Sequence, residues 1–347
     1  MFKPIYRAVR TVCRAAFILL AFAAFASAEI RLPAVVGDHM VFQQGAPIRI
    51  WGWAQPGEKI DVRLSALVGS AVAGRDGSWE AILPAQKADG KSLELVVTGS
   101  ASRPVTRTDI VVGEVWICSG QSNMEMAMAS TFTPTPEISR ADFPGLRLFR
   151  VPHKTSAVPV EDIEAKWEPC RPETLRTFSA VAFHFGLELH RRLQVPIGLV
   201  ESAWGGTRIE PWTPPAGFRA VPELMPLLAD LDTLRSGYAV DLEKTLPDVE
   251  SWVRNVRQAI AAQAPIPPLP KLPPSPYDDP RAPTTLYNGM IHPLRNLGIR
   301  GAIWYQGEAN LNDGLLYEKK MEALVRGWRE TWRLGDFPFY YVQIAPF

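Results

Sequence analysis

Apolar and polar positions along the chain follow two regimes that meet near Asp109. From Ile30 to about Ile110, short alternating runs recur, among them Ile48–Trp53, Lys59–Leu64, Ser78–Leu83 and Leu93–Val97. Pro56-Gly57 and Asp76-Gly77 stand between them. Alternation with period two, broken at short intervals by turn residues, predicts strands joined by tight turns. Helical periodicity is missing, so residues 29–110 are expected to form a small all-β sandwich of accessory character.

Beyond that point the pattern changes. Ile110–Cys118 is too apolar for a strand with one wet face and fits one covered on both faces, as parallel sheets require. Ser179–Leu193 places Val181, Phe185, Leu189 and Leu193 on one helical face, and Pro196–Val200 reads as the next buried strand. Ile299–Tyr305 predicts a strand, Gly314–Arg333 a helix, and Phe337–Ile344 a further strand. This alternation predicts a doubly wound α/β domain over 111–347, with ligands at the carboxyl ends of its strands. Residues 213–286 interrupt it as an insertion, with a helix-like stretch near Val249–Ala262 and a proline run from Pro265 to Pro283. Prolines so dense exclude a helix or an inner strand and predict an extended surface loop, with a ligand for a proline-binding module as the alternative.

Composition narrows the function. Lys and Arg number 37 against 36 Asp and Glu, so no net field recruits nucleic acid or an anionic membrane. Residues 1–28 read as an export signal: Lys3, Arg7, Arg10 and Arg14, then the apolar Ala15–Phe25, then Ala26-Ser27-Ala28 as the cleavage site. A mature chain would start near Glu29 and be periplasmic or extracellular, free of the membrane; an uncleaved anchor is the alternative. Cleavage would leave Cys118 and Cys170. One disulfide is open to them, but Cys118 lies in an apolar run and reads as a buried thiol. No Cys/His spacing suits a metal, and no motif calls for a cofactor.

Three polar turns carry the candidate chemistry. Gly120-Gln121-Ser122-Asn123-Met124 follows the buried strand, where a serine at a helix N-terminus would stand at the sheet edge; a helix-capping serine is the bland reading. Glu201-Ser202-Ala203-Trp204-Gly205-Gly206-Thr207 follows the strand ending at Val200, and its glycines suit close approach to a ligand or simply a tight turn. Trp304-Tyr305-Gln306-Gly307-Glu308-Ala309-Asn310 follows the strand ending near Tyr305. There Glu308 reads as a catalytic or a capping carboxylate.

These blocks resemble the sialate O-acetylesterase family within the SGNH hydrolases. The similarity runs from Leu32-Pro33 and Met40–Gln44 through Trp51-Gly52, Gly113–Trp116 and Gly120–Met124 to Gly198–Trp212, Tyr287–Ile291 and Trp304–Asn310. It implies an SGNH-type, flavodoxin-like parallel sheet preceded by the β sandwich, and an O-acetylated sugar or glycan as substrate. It further implies Ser122 as nucleophile, with an oxyanion hole made by the Ser122 amide, a Gly205 or Gly206 amide and the Gln306 side chain. Glu308 would orient the site or support its base, and Trp204, Arg208 and Trp212 would contact sugar, with packing in the core the more ordinary role for at least one of the two indoles.

Serine needs a general base. Of His39, His153, His184, His190 and His292, the last is the best placed by sequence, although the resemblance gives it a structural role. The base it implies lies in an Asp-x-His-Pro-like segment after Ile344, and none precedes Phe347. The sequence therefore reads as a fragment with little esterase activity alone, a relative without a base being the alternative. Acetylxylan-type deacetylation and noncatalytic carbohydrate binding are the competing functions.

Overall fold

The computed structural model describes residues 29–132 and 134–345; the expected export signal lies outside them. The strands are β1 (Val41–Gln43), β2 (Ile48–Trp53), β3 (Lys59–Leu64), β4 (Leu67–Val72), β5 (Ser78–Leu83), β6 (Leu93–Gly99), β7 (Val105–Gly120), β8 (Phe143–Arg150), β9 (Trp167–Cys170), β10 (Ile197–Ala203), β11 (Gly301–Tyr305) and β12 (Phe339–Tyr341). β2 and β5 form one antiparallel pair, and β4, β3, β6 and the first part of β7 form a second antiparallel array. β3 and β5 each alternate exposed and buried residues, as the period-two pattern demands.

β7 links the two regimes of the sequence. Its first residues pair antiparallel with β6, and its last residues pair parallel with β10 on one side and β11 on the other. The change of pattern near Asp109 thus falls inside one continuous strand of 16 residues. Asp109 itself has φ of 53° and sits where the pairing with β6 shifts register. Its carboxylate is gripped by the two terminal guanidinium nitrogens of Arg147 from β8 and by His39 Nδ1 at 2.7 Å. The Arg147 hydrogen bonds, aided by His39, hold that carboxyl below its ordinary pKa against the opposing effect of burial.

The parallel sheet runs β8-β10-β7-β11-β12, with β9 antiparallel on the β8 edge. Numbered along the chain, its parallel strands stand in the order 2-3-1-4-5, whereas a flavodoxin-like sheet has 2-1-3-4-5. Both faces are covered. Val115 and Ile117 of β7 enter the core that holds Trp304, Trp328 and Trp332, while the alternate residues Trp116 and Cys118 enter a core with Phe183, Leu187 and Leu199. The Ala180–Leu193 helix packs on the second face, opened by Ser179, whose hydroxyl accepts from the Ala182 amide. Cys118 and Cys170 are both free and buried.

The stretch expected as an insertion divides in two. Residues 213–224 belong to the core: Phe218, Val221 and Leu224 are buried against Ala323 of the Leu316–Trp332 helix. A helix of 37 residues then runs from Met225 to Ala261, far earlier than the Val249 start that the sequence suggested, and holds Pro247 within it. Of its side chains only Leu231 is buried, so no strong apolar stripe announced it. The proline run follows without helix or strand.

Candidate active site

From β7 the chain connects towards β8 on one side, and from β11 towards β12 on the other, so the topological switch point of the sheet lies between the carboxyl ends of β7 and β11. The serine turn stands there. Gly120 ends β7 with φ of 143°, and a Cβ on it would lie 2.1 Å from the Tyr305 carbonyl oxygen, so only glycine lets the two strand ends close. The Gln121 amide then donates to Tyr305 O at 2.9 Å, and the Trp204 amide to Gly120 O at 3.1 Å. The exits of β7, β10 and β11 are thereby tied together.

Ser122 opens the one-turn Ser122–Glu125 helix and is exposed. A Cβ placed on Gly205 would lie 3.4 Å from Ser122 Cβ, so the glycine turn stands beside the serine with room for no more than ordinary contact between them. Asn123 Nδ2 donates to Glu308 Oε1 at 2.6 Å, and the buried Gln121 holds the same loop by accepting from the Gly307 and Ala309 amides. Glu308 Oε2 is buried without a partner among the described residues. Three turns distant in sequence thus meet at one edge.

Some side chains lie elsewhere than expected. Both amide hydrogens of Gln306 are committed, to Thr207 O at 3.1 Å and Asn310 Oδ1 at 2.8 Å, and its oxygen faces the Tyr317 hydroxyl at 2.8 Å. The orientation is fixed because the Ile209 amide can only donate, so the Asn310 atom facing it must be oxygen. With every hydrogen spoken for, Gln306 braces the loop in this state rather than offering a donor to an oxyanion. Trp212, expected against sugar, is fully buried between Trp304 and Trp328, which brackets it as core. Arg208 reaches Glu210 at 3.0 Å and Asp313 at 2.9 Å, two carboxylates that also receive the buried Lys320 at 2.6 Å each. Burial pushes the Glu210 carboxyl up, but hydrogen bonds from Arg208, Lys320 and Asn310 outweigh it and hold it below the ordinary range.

Two further residues stand at the site: Glu125, which the sequence did not single out, and His153, which it offered only as a weaker candidate for the base than His292. Glu125, one helical turn after Ser122, accepts the Gly205 amide at 2.6 Å and reaches His153 Nε2 at 2.7 Å. His153 in turn lies flat on the Trp204 indole, centroids 4.1 Å apart and planes 3° from parallel. The spacing of Ser122 and Glu125 by three was the available signal for the first; nothing in a loop-like stretch marked the second. The other histidines are engaged elsewhere: His39 with Asp109, His190 with Val195 O, His184 against Phe183, and His292 with Val160 O. Burial holds the His292 imidazole below its ordinary pKa. No side chain is hydrogen-bonded to the Ser122 hydroxyl among the described residues.

Below the site, Glu201 of β10 is buried and accepts the Ser179 amide at 3.0 Å, while Ser179 Oγ donates to Met124 O at 2.6 Å. Burial raises its carboxyl to about 7, against the pull of Arg150 at 3.6 Å. No group of three or more His, Cys, Asp or Glu residues placed to hold a metal is found among the described residues.

The α/β sheet, covered on both faces, carries an exposed serine at its switch point, and comparison with known proteins shows what the chain is similar to. Residues 277–347 match the family described as carbohydrate esterase, sialic acid-specific acetylesterase. The chain is 29% identical to the sialate O-acetylesterase of Pongo abelii over 345 residues, covering 91% of this chain and 57% of that protein. It is likewise 29% identical to the sialate O-acetylesterase of Rattus norvegicus, covering 91% of this chain and 60% of that one. A crystal structure of a carbohydrate acetylesterase from Xanthomonas citri superposes with a TM-score of 0.70 at 29% identity, covering 90% of this chain and 60% of that chain. The chain is thus similar to the sialate O-acetylesterases, and it spans 57% to 60% of the length of the curated proteins it matches.

Proposed function

We propose that this chain carries the nucleophile of an exported carboxylic ester hydrolase that removes O-acetyl groups from sialic acid or related sugars. The observation that supports it most is the placing of exposed Ser122 beside Gly205, at the carboxyl ends of β7 and β10. Attack of the Ser122 hydroxyl oxygen on the acetyl carbonyl would release the sugar alcohol and leave an acetyl-enzyme for water to cleave. Charge gathers on the carbonyl oxygen only in the transition state, so donors aimed at that point lower the barrier selectively.

The donors best supported are the Ser122 amide, which opens a helix and has no intrahelical acceptor, and the Gly206 amide, in a residue with φ of 73°. The Gly205 amide is the third, once Glu125 moves from it to His153 alone. Glu308 acts through Asn123 as an orienting group. The face of Trp204 backed by His153 is the sugar platform, a role that suits an indole left half-exposed beside the nucleophile. Residues 1–28 supply the export signal; no helix of the described residues is long and apolar enough to cross a membrane.

Acetate release from O-acetylated sialic acid, compared with release from acetylated xylan oligosaccharides, tests the substrate. Turnover of the sialic ester supports the reading, and turnover of xylan alone would reassign the protein to polysaccharide deacetylation.

A further inference from the structure

Away from the serine turn, a cavity of ≈ 520 Å³ opens between the Met225–Ala261 helix, the Pro215–Arg219 helix and the end of the Leu316–Trp332 helix. None of the residues assigned to the esterase site lines it. Four arginines do, Arg219, Arg235, Arg295 and Arg333, against the single carboxylate of Glu330. Arg295 is paired with Glu161 outside the cavity, and Arg235 reaches Ala157 O at 3.2 Å and Asp232 at 3.6 Å. Arg219 and Arg333 have no carboxylate within ion-pair distance among the described residues.

A second observation is independent of this charge. Thr284, on the cavity wall, is 1% exposed, and its hydroxyl has no hydrogen-bond partner among the described residues. Arg235 Nε, on the opposing helix, is likewise buried and unpartnered. Donors that are left unpaired inside a cationic cavity cost stability unless something completes them. Arg333 is also held with φ of 55° at the end of its helix, a conformation that costs a non-glycine residue energy and fixes where its side chain departs.

We propose that this cavity is a second binding site, separate from the ester-cleaving one, for the oxyanion end group of a small ligand, a carboxylate or a phosphate. Guanidinium forks match the paired oxygens of either group, and Thr284 supplies the neutral donor. The site adjoins the catalytic region without entering it. His153 beside Trp204 and Ala157 on the cavity wall are four residues apart, so the chain limits their Cα separation to about 14 Å.

Isothermal titration of the purified chain with inorganic phosphate, and separately with glucuronate, tests this. Saturable binding of at least one is expected, weakened about tenfold or more in Arg219→Gln/Arg333→Gln, the loss expected for charge-assisted hydrogen bonds. Arg75→Gln, an exposed arginine in the β region, leaves binding unchanged. Phosphate binding alone assigns a phosphoryl ligand, glucuronate binding alone a carboxylate, and both the shared chemistry. No saturable binding of either, or equal weakening by Arg75→Gln, overturns the proposal. Circular dichroism verifies that the double variant is folded; the two single variants, each expected to weaken binding, carry the test if it is not. Ser122→Ala leaves anion binding intact, so this site and the esterase reading stand or fall separately.

Discussion

Replacing Glu201 by Gln tests the buried carboxyl beneath the serine turn. In the native protein burial raises this group from 4.5 to about 7, with Arg150 and the Ser179 amide opposing. The difference corresponds to about 3 kcal/mol of preference for the neutral form. Because the native state holds this proton more tightly than the unfolded chain does, stability from Glu201 is full below pH 4.5 and is lost as pH rises to about 7. Glutamine keeps an oxygen for the Ser179 amide and cannot ionise, so the variant escapes that loss. Urea unfolding of both proteins from about pH 5 to about pH 8 should show Glu201→Gln gaining on the wild type by up to about 3 kcal/mol, then levelling off. A difference that stays flat across this range would show that Glu201 ionises as an ordinary surface carboxylate, and the reasoning would fail.

Other outcomes follow from single contacts. Gly120→Ala should lower stability by roughly 2 kcal/mol or more, read from the denaturation midpoint, because its Cβ meets the Tyr305 carbonyl at 2.1 Å. Trp212→Ala should cost about 3–5 kcal/mol of stability as a core truncation. Trp212→Phe should leave KM for an acetylated sugar unchanged, while Trp204→Ala should raise it with little effect on the melting temperature. Lys320→Met removes the cation shared by Glu210 and Asp313 and should cost about 3 kcal/mol or more, measured by urea unfolding at neutral pH.

The strands of the β region were legible because their alternation survives in the fold: the expected Ile48–Trp53, Lys59–Leu64 and Ser78–Leu83 are β2, β3 and β5. β8 and β9 were not, since Pro144-Gly145 and Pro169 mark turns by composition, while both segments sit towards one edge of the sheet where a missing amide is tolerated. The serine, glycine and Gln306 turns converge because each follows a parallel strand, a consequence of topology that sequence order carries. Which indole meets solvent is another matter. Trp204 and Trp212 are eight positions apart in one motif, and only packing against Trp304 and Trp328 buries the second. The Glu125–His153 pair was hidden for the same reason, being a contact between segments that no periodicity relates.

The serine at the sheet edge is the centre of the account, and the most direct measurement compares initial rates of acetate release from O-acetylated sialic acid by the wild-type protein and by Ser122→Ala. Loss of the attacking hydroxyl should bring acetate release down to the uncatalysed background, however slow the wild-type rate is without a base hydrogen-bonded to Ser122, with the variant still folded. Equal rates from the two proteins would contradict the assignment of Ser122.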